Sequence, residues 1–212
     1  MKRRQLIQAG LAATVIQVAG LPLAQAQQAG AFRNARREVP RSTPGKIDVV
    51  EFFWYGCPHC YNFEPKVSAW AKNLPGDVVF TKVPIAFQSQ RVNFLGHQKL
   101  YYTLEIMGKL DQAHMKVFEA MHKDKKLLAD DAQIFDFAQS VGLNREQFAN
   151  TFKSFGVASK CTQATKLFND YGADGVPTLG IDGKFITSAS IAGSEENALR
   201  VADALIKRQR QA

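Results

Sequence analysis

Cysteine is scarce in this sequence: three residues among 212 cannot build the dense disulfide framework on which small secreted domains depend. Histidine numbers only four, and no internal repeat is present. Long uninterrupted apolar runs are missing as well. The most apolar stretch, Leu6 to Leu23, is broken by Gln8, Gly10, Gln17, Gly20 and Pro22, which makes a membrane helix its weaker reading. What the chain does have is apolar mass. It is 46% hydrophobic and 10% aromatic, enough to bury a core without a metal staple and too much for a disordered chain.

The first 26 residues contain no Asp or Glu. Lys2, Arg3 and Arg4 precede the Leu6–Leu23 run, and Ala24-Gln25-Ala26 supplies a small-x-small cleavage pattern, so residues 1–26 are expected to be a secretory signal peptide cut after about Ala26. Arg3-Arg4 leaves the general and twin-arginine export routes both open. Residues 27–46 hold five basic residues against Glu38, together with Pro40, Pro44 and Gly45, and are expected to be a flexible basic lead-in. Of the formal +8, only about +1 then remains from Ile47 onward, too little for a nucleic-acid footprint, and no nucleic-acid partner is expected.

Ile47–Phe53 is a β-branched and aromatic run that predicts a strand buried on both faces, with Glu51 as its one oddity. Cys57-Pro58-His59-Cys60 follows, and then Tyr61, Phe63, Val67 and Trp70 recur at helical spacing, with Pro58 in the first turn and Pro65 inside. Val78–Val83 predicts a second strand, parallel to the first through a βαβ crossover. Between 92 and 171, apolar residues recur every three or four positions, predicting several amphipathic helices punctuated by Gly108, Asp130-Asp131 and Gly142. Pro177–Ile181, a two-residue Asp182-Gly183 turn and Lys184–Thr187 predict a hairpin, and Ser194 opens a terminal helix. The expected fold is α/β: a βαβ unit and a ββα unit, residues 47–91 and 172–212, separated by a helical insertion subdomain, residues 92–171.

Two cysteines two residues apart serve as a redox pair, half a zinc site or a haem attachment. Haem attachment needs His after the second Cys, where Tyr61 stands. Zinc needs four ligands, and Cys161, His97, His114 and His122 form no second short-spaced pair, so no metal is expected and these histidines read as surface or helix-packing residues. The redox reading has a physical cause. A thiol at a helix N-terminus faces free N–H groups and the positive end of the macrodipole, which favour thiolate, and His59 adds to this. A stabilised Cys57 thiolate leaves a disulfide readily, so a Cys57–Cys60 disulfide would oxidise other proteins, with Cys60 one turn further in as resolving thiol. Glu51 is read as a buried acid relaying the proton of Cys60, against the alternative of an edge-strand surface residue. Gly175-Val176-Pro177 is a candidate cis X-Pro site beside an extended substrate, a trans loop proline being the ordinary expectation. Cys161 reads as a buried, inert residue.

Val50-Glu51-Phe52-Phe53, Gly56-Cys57-Pro58-His59-Cys60-Tyr61-Asn62-Phe63-Glu64, Phe80–Val83, Gly175-Val176-Pro177 and Asp182–Phe185 together resemble the DsbA family of bacterial periplasmic thiol:disulfide interchange proteins, over roughly Ile47 to Lys207. The resemblance implies a thioredoxin fold with a helical insertion and a monomeric periplasmic dithiol oxidase, needing no cofactor beyond the Cys57–Cys60 disulfide. Its implied partners are unfolded exported proteins and a quinone-linked membrane oxidase of the DsbB type. It further implies Cys57 as nucleophile, Cys60 as resolving residue, His59 (after Pro58) as tuning residue, Glu51 as buried acid, Lys82 as its neighbour, and Val176 with cis-Pro177 facing the disulfide and the substrate. A reductase or isomerase, and a noncatalytic peptide- or metal-binding module on the same fold, are the competing functions.

Overall fold

The computed structural model describes residues 30–87 and 92–211; the export signal expected at residues 1–26 lies outside them. β1 is Arg33–Asn34, β2 Ile47–Phe53, β3 Val78–Pro84, β4 Thr178–Ile181 and β5 Phe185–Thr187, in one sheet of order β1-β5-β4-β2-β3. β2 pairs parallel with β3 and antiparallel with β4, so six of its seven residues are buried. α1, Pro58–Ala71, is the crossover between β2 and β3. α2 (Phe94–Ile106), α3 (Leu110–His122), α4 (Asp131–Ser140), α5 (Arg145–Phe152) and α6 (Phe155–Tyr171) follow as the insertion, before β4 and β5, the short α7 (Ala189–Ala192) and α8 (Glu195–Arg210).

The pleat of β2 explains the two cores. Ile47 and Val49 face α1 and α8, where Phe63, Val67, Leu179, Ile181, Leu205 and Ile206 close over them. Val50 and Phe52 face the opposite side, where Phe52 meets Phe168 and Tyr171 of α6 edge-on. Side chains cap the insertion helices: Asn93, Asp130, Asn144 and Ser154 each accept the N3 amide of the helix that follows.

The lead-in before Ile47 is not a flexible segment over residues 30–46. Phe32 is buried in the α1–α8 core, edge-on to Phe185. The amides of Ala35, Arg36, Arg37 and Val39 donate to the carbonyls of Lys184, Tyr171, Asp170 and Gly183, and Arg41 forms a two-pronged ion pair with the buried Asp182 at 2.6 and 2.9 Å. Composition misleads because the strap is held by backbone hydrogen bonds, one aromatic and the Arg41 and Arg33 ion pairs to Asp182 and Asp174, none of which makes a periodic apolar signal.

The Asp182-Gly183 turn is where the strap is gripped. Both residues have positive φ, 51° and 67°, as a tight two-residue hairpin turn requires. A Cβ on Gly183 would stand 1.9 Å from the Val39 carbonyl oxygen. Gly183→Ala is therefore expected to destabilise the fold by more than about 1 kcal/mol and to expose residues 30–46 to protease and the Val39 amide to hydrogen exchange. Unchanged exchange at Val39 would mean the turn does not hold the strap.

Candidate active site

The chain leaves β2 through Trp54-Tyr55-Gly56 in a tight turn, with the Cys57 amide donating to the Trp54 carbonyl at 3.0 Å. Gly56 is required by the Trp54 ring, since a Cβ there would come within 2.3 Å of it. Cys57 is the N-cap of α1, extended at φ −83° and ψ 118°, with no side chain capping the helix and Pro58 in the first turn. The free N–H groups of that turn therefore face the Cys57 sulfur. Cys57 keeps 8% exposure and Cys60 none. The two sulfurs are unbonded, and the side-chain hydrogen bond from Cys60 is the largest cause that brings the Cys57 thiol down from 9.0 to about 6, with the backbone amides of Cys60 and His59 and the His59 charge adding to it. Burial pushes the Cys60 thiol far above the ordinary range, and a Cys57 thiolate pushes it further. One sulfur is built to ionise and its neighbour to stay protonated.

Opposite Cys57, the Val176 carbonyl oxygen lies 3.6 Å from its Sγ and accepts from it when the sulfur is a thiol. The Val176–Pro177 bond is cis, the isomer for which this site is the candidate and which the resemblance implies, not the ordinary trans loop proline. His59, between the two cysteines, is exposed.

Beneath Cys60 lies Glu51, fully buried, so the edge-strand alternative does not hold. The parallel register sets Lys82 directly beside it, and Lys82 Nζ donates at 2.7 Å both to Glu51 Oε2 and to Glu64 Oε2. Glu51 Oε1 has no hydrogen-bond partner among the described residues. Burial and the nearby Glu64 raise the Glu51 carboxyl against the pull of Lys82. Burial acts on Glu64 in the same sense, but His114 and Lys82 outweigh it and hold that carboxyl at about 2.

Glu64 and His114 were not singled out as site residues from the sequence. Glu64 had a readable signal, since Cys60, Glu64 and Ser68 are spaced by four and share one face of α1. His114 had none, because α3 reaches the site only through tertiary packing. It is not a surface residue: its ring meets Phe53, Tyr101 and Phe118 edge-on, with Tyr55 tilted beside it. Tyr55 Oη lies 2.7 Å from its Nδ1, and its Nε2 is 3.2 Å from Glu64 Oε2, off a well-aligned hydrogen-bonding line.

The insertion braces the junction from the other side. His122 stacks on Tyr61 and its Nε2 donates to the Tyr55 carbonyl at 2.8 Å. His97 accepts from the Trp54 indole at Nδ1 and donates from Nε2 to the Leu127 and Leu128 carbonyls. A cavity of about 230 Å³ beside Gly56 and Pro58 opens between these residues. Among the described residues, no group of three or more His, Cys, Asp or Glu is placed to hold a metal. Cys161 is buried far from this constellation in sequence, on α6, and burial raises its thiol to about 11.

A mixed sheet flanked by a βαβ and a ββα unit, with a Cys-x-x-Cys pair at the strand-to-helix junction and a proline loop against the first sulfur, defines a thiol:disulfide oxidoreductase of the thioredoxin fold carrying a helical insertion. The chain belongs to the DsbA family: residues 48–197 match the DSBA-like thioredoxin domain. It is 44% identical to the thiol:disulfide interchange protein DsbA of Azotobacter vinelandii over 82% of this chain and 80% of that protein. It is also 41% identical to the protein of the same name from Bordetella parapertussis over 98% and 97%. The crystal structure of Pseudomonas aeruginosa DsbA superimposes with a TM-score of 0.80 at 40% identity, covering 86% of this chain and 93% of that one.

Proposed function

We propose that the protein is a periplasmic dithiol oxidase that transfers the Cys57–Cys60 disulfide to reduced, unfolded exported proteins. A client thiolate attacks Cys57 Sγ; the Cys57–Cys60 bond breaks, a Cys57–client disulfide forms, and Cys60 departs with the electron pair and takes up a proton. A second client thiolate then attacks the client sulfur, closing the client disulfide and releasing Cys57 as thiolate. The client loses two electrons and the cysteine pair gains them. A quinone-linked membrane oxidase of the DsbB type is the acceptor that would return the pair to its disulfide. The redox pair is the only cofactor the reaction needs.

The observation that carries this is the split between the two sulfurs at the start of α1, with Cys57 held as thiolate and Cys60 as thiol. Stabilising the Cys57 thiolate stabilises the reduced protein and makes its disulfide a donor. The DsbA family is an established example of that relation, so its direction is family behaviour. Cys57 acts as nucleophile, and Pro58 starts the helix whose amides steady its charge. His59, exposed at the start of the helix, adds to the stabilisation of the Cys57 thiolate through its backbone amide and its side chain. Glu51, raised by burial beneath Cys60, supplies and recovers the Cys60 proton, and Lys82 balances the acid below. The free backbone beside Val176 and Pro177 suits pairing with an extended client segment.

The test is alkylation of the reduced protein across pH. The rate at Cys57 should follow an ionisation with midpoint near 6, and the oxidised protein should form disulfides in a reduced unfolded client. A midpoint near that of an ordinary thiol, about 8.5, together with reduction rather than oxidation of clients, would reverse the assignment.

A further inference from the structure

Two carboxylates buried on one lysine cannot both keep their charge cheaply. Glu51 and Glu64 share Lys82 at equal distances, 2.7 Å each, so the lysine does not decide which of them ionises. Their other surroundings do. Glu64 receives Ser68 Oγ on Oε1 at 2.5 Å, and its Oε2 faces His114 Nε2 at 3.2 Å, whereas Glu51 Oε1 has no donor among the described residues. The orientation of His114 is fixed from behind. Tyr55 Oη lies 2.7 Å from Nδ1, and with the carboxylate of Glu64 facing Nε2 the arrangement that gives both ring nitrogens a complementary partner has the phenol donating to Nδ1. In the neutral ring the proton then resides on Nε2, the atom turned to Glu64. Burial lowers the His114 pKa, favouring that neutral form.

We propose that His114, seconded by Ser68, is a positioning residue that fixes the negative charge of the buried acid pair on Glu64 and so leaves Glu51 as the group that carries the proton of Cys60. It deepens the dithiol-oxidase reading and rests on it. His114 touches neither sulfur nor client; it acts through Glu64. The chain of contacts runs Glu51, Lys82, Glu64, His114, Tyr55, drawing on β2, β3, α1 and α3, and the charge of Glu51 acts on the Cys60 thiol above it. A groove of about 1020 Å³ lined by Glu64, Ser68, Lys82 and His114 opens at the Glu64 side of the acid pair. Among the described residues, the other ionisable groups around the cluster are Cys60 on α1 and Lys72 at its C-terminal end, Tyr101 and Glu105 on α2, and Asp111 at the groove's edge on α3.

The experiment is a carboxyl-carbon NMR titration of Glu51 and Glu64 in the oxidised protein and in His114→Phe, His114→Gln and Ser68→Ala variants. Phe keeps the edge-on aromatic packing and removes the donor; Gln keeps a donor. In the parent protein, Glu64 should stay ionised through the range in which Glu51 titrates. In His114→Phe, Glu64 should take up a proton at higher pH than before and Glu51 should lose its own at lower pH. The rate of client attack on the disulfide, taken as the ratio to the parent protein with the same client, should then show its pH profile moved to acid by roughly half a unit or more. Ser68→Ala, a milder change at a half-buried site, should move both carboxyls in the same directions by less, and His114→Gln should return them toward the parent values. A role limited to packing predicts lowered stability with unmoved carboxyl titrations, and that outcome in both His114→Phe and Ser68→Ala overturns the proposal. Failure of the parent protein to oxidise any client would instead overturn the oxidase reading, since the titrations do not depend on turnover.

Discussion

Cys60→Ser is expected to turn the protein into a covalent trap, and Cys57→Ser to silence it. In the first variant the Cys57 thiolate, still at the N-cap of α1 with 8% exposure, attacks a disulfide-bonded client peptide and becomes joined to it. No thiol stands one turn further in to release it, so the mixed disulfide accumulates on a non-reducing gel. The serine hydroxyl replaces the Cys60 S–H, whose hydrogen bond is the largest cause of the Cys57 shift, with another donor, and the helix-end amides and His59 remain, so Cys57 keeps a lowered thiol and the attack persists. In the second variant the only sulfur left at the junction is Cys60, without exposure and held protonated by burial. Exchange should fall by at least about 10³-fold, since both the thiolate fraction and the access that the reaction needs are missing. Equal trapping by the two variants would mean that the sulfurs are not differentiated, and the mechanism would have to be abandoned.

That asymmetry was readable in the sequence because it is local: four residues at a strand-to-helix junction, with Pro58 marking the first helical turn. The alternation and β-branching of Ile47–Phe53, the Asp182-Gly183 turn and the three- and four-residue periodicities between α2 and α6 are local in the same sense, and the fold follows from them. What lies beneath Cys60 was only half readable. Glu51 stood out as a charge in an apolar strand, and Lys82 was reached through family likeness, but their contact is a matter of strand register. His114 comes from α3, more than fifty residues after the cysteines, and nothing in its neighbourhood distinguishes it from a helix-surface histidine. Tyr55 and Gly56, whose roles the sequence left blank, are explained by what they meet: the His114 ring and the Trp54 indole. The strap over residues 30–46 was misread for the reason that its grip is made by backbone amides on the β4–β5 turn, a kind of bond that side-chain composition does not encode.

Reduction should stabilise this protein, and by an amount that rises and then falls with pH. The two cysteines titrate in the reduced form and not in the disulfide, so the difference in unfolding free energy between the two forms cancels the groups that do not interact with them and leaves the cysteines together with their charge coupling to His59 and Glu51. Cys57 has its thiol lowered from 9.0 to about 6. Between those values the unfolded reduced chain holds a proton that the folded one has released, so stability grows as pH rises from 6 to 9 and is lost as pH falls back through 6. Cys60 has the opposite sign: raised by burial, its contribution is intact below 9 and erodes above it, where the unfolded thiol ionises and the folded one does not. The difference should therefore peak near pH 9. With about 1.4 kcal/mol per pH unit, the ionisation part is about 1.4 kcal/mol at pH 7 and about 3 kcal/mol at the peak, the latter a factor of a few hundred in the redox equilibrium with an unfolded client. Closing the short Cys57–Cys60 loop contributes an offset in favour of the oxidised form that does not vary with pH, so the slope is the test. Denaturant unfolding of the oxidised and reduced protein at pH 5, 7 and 9 measures it. A difference that stays flat from 5 to 9 would mean that folding does not favour the Cys57 thiolate, and the driving force for giving the disulfide away would be gone.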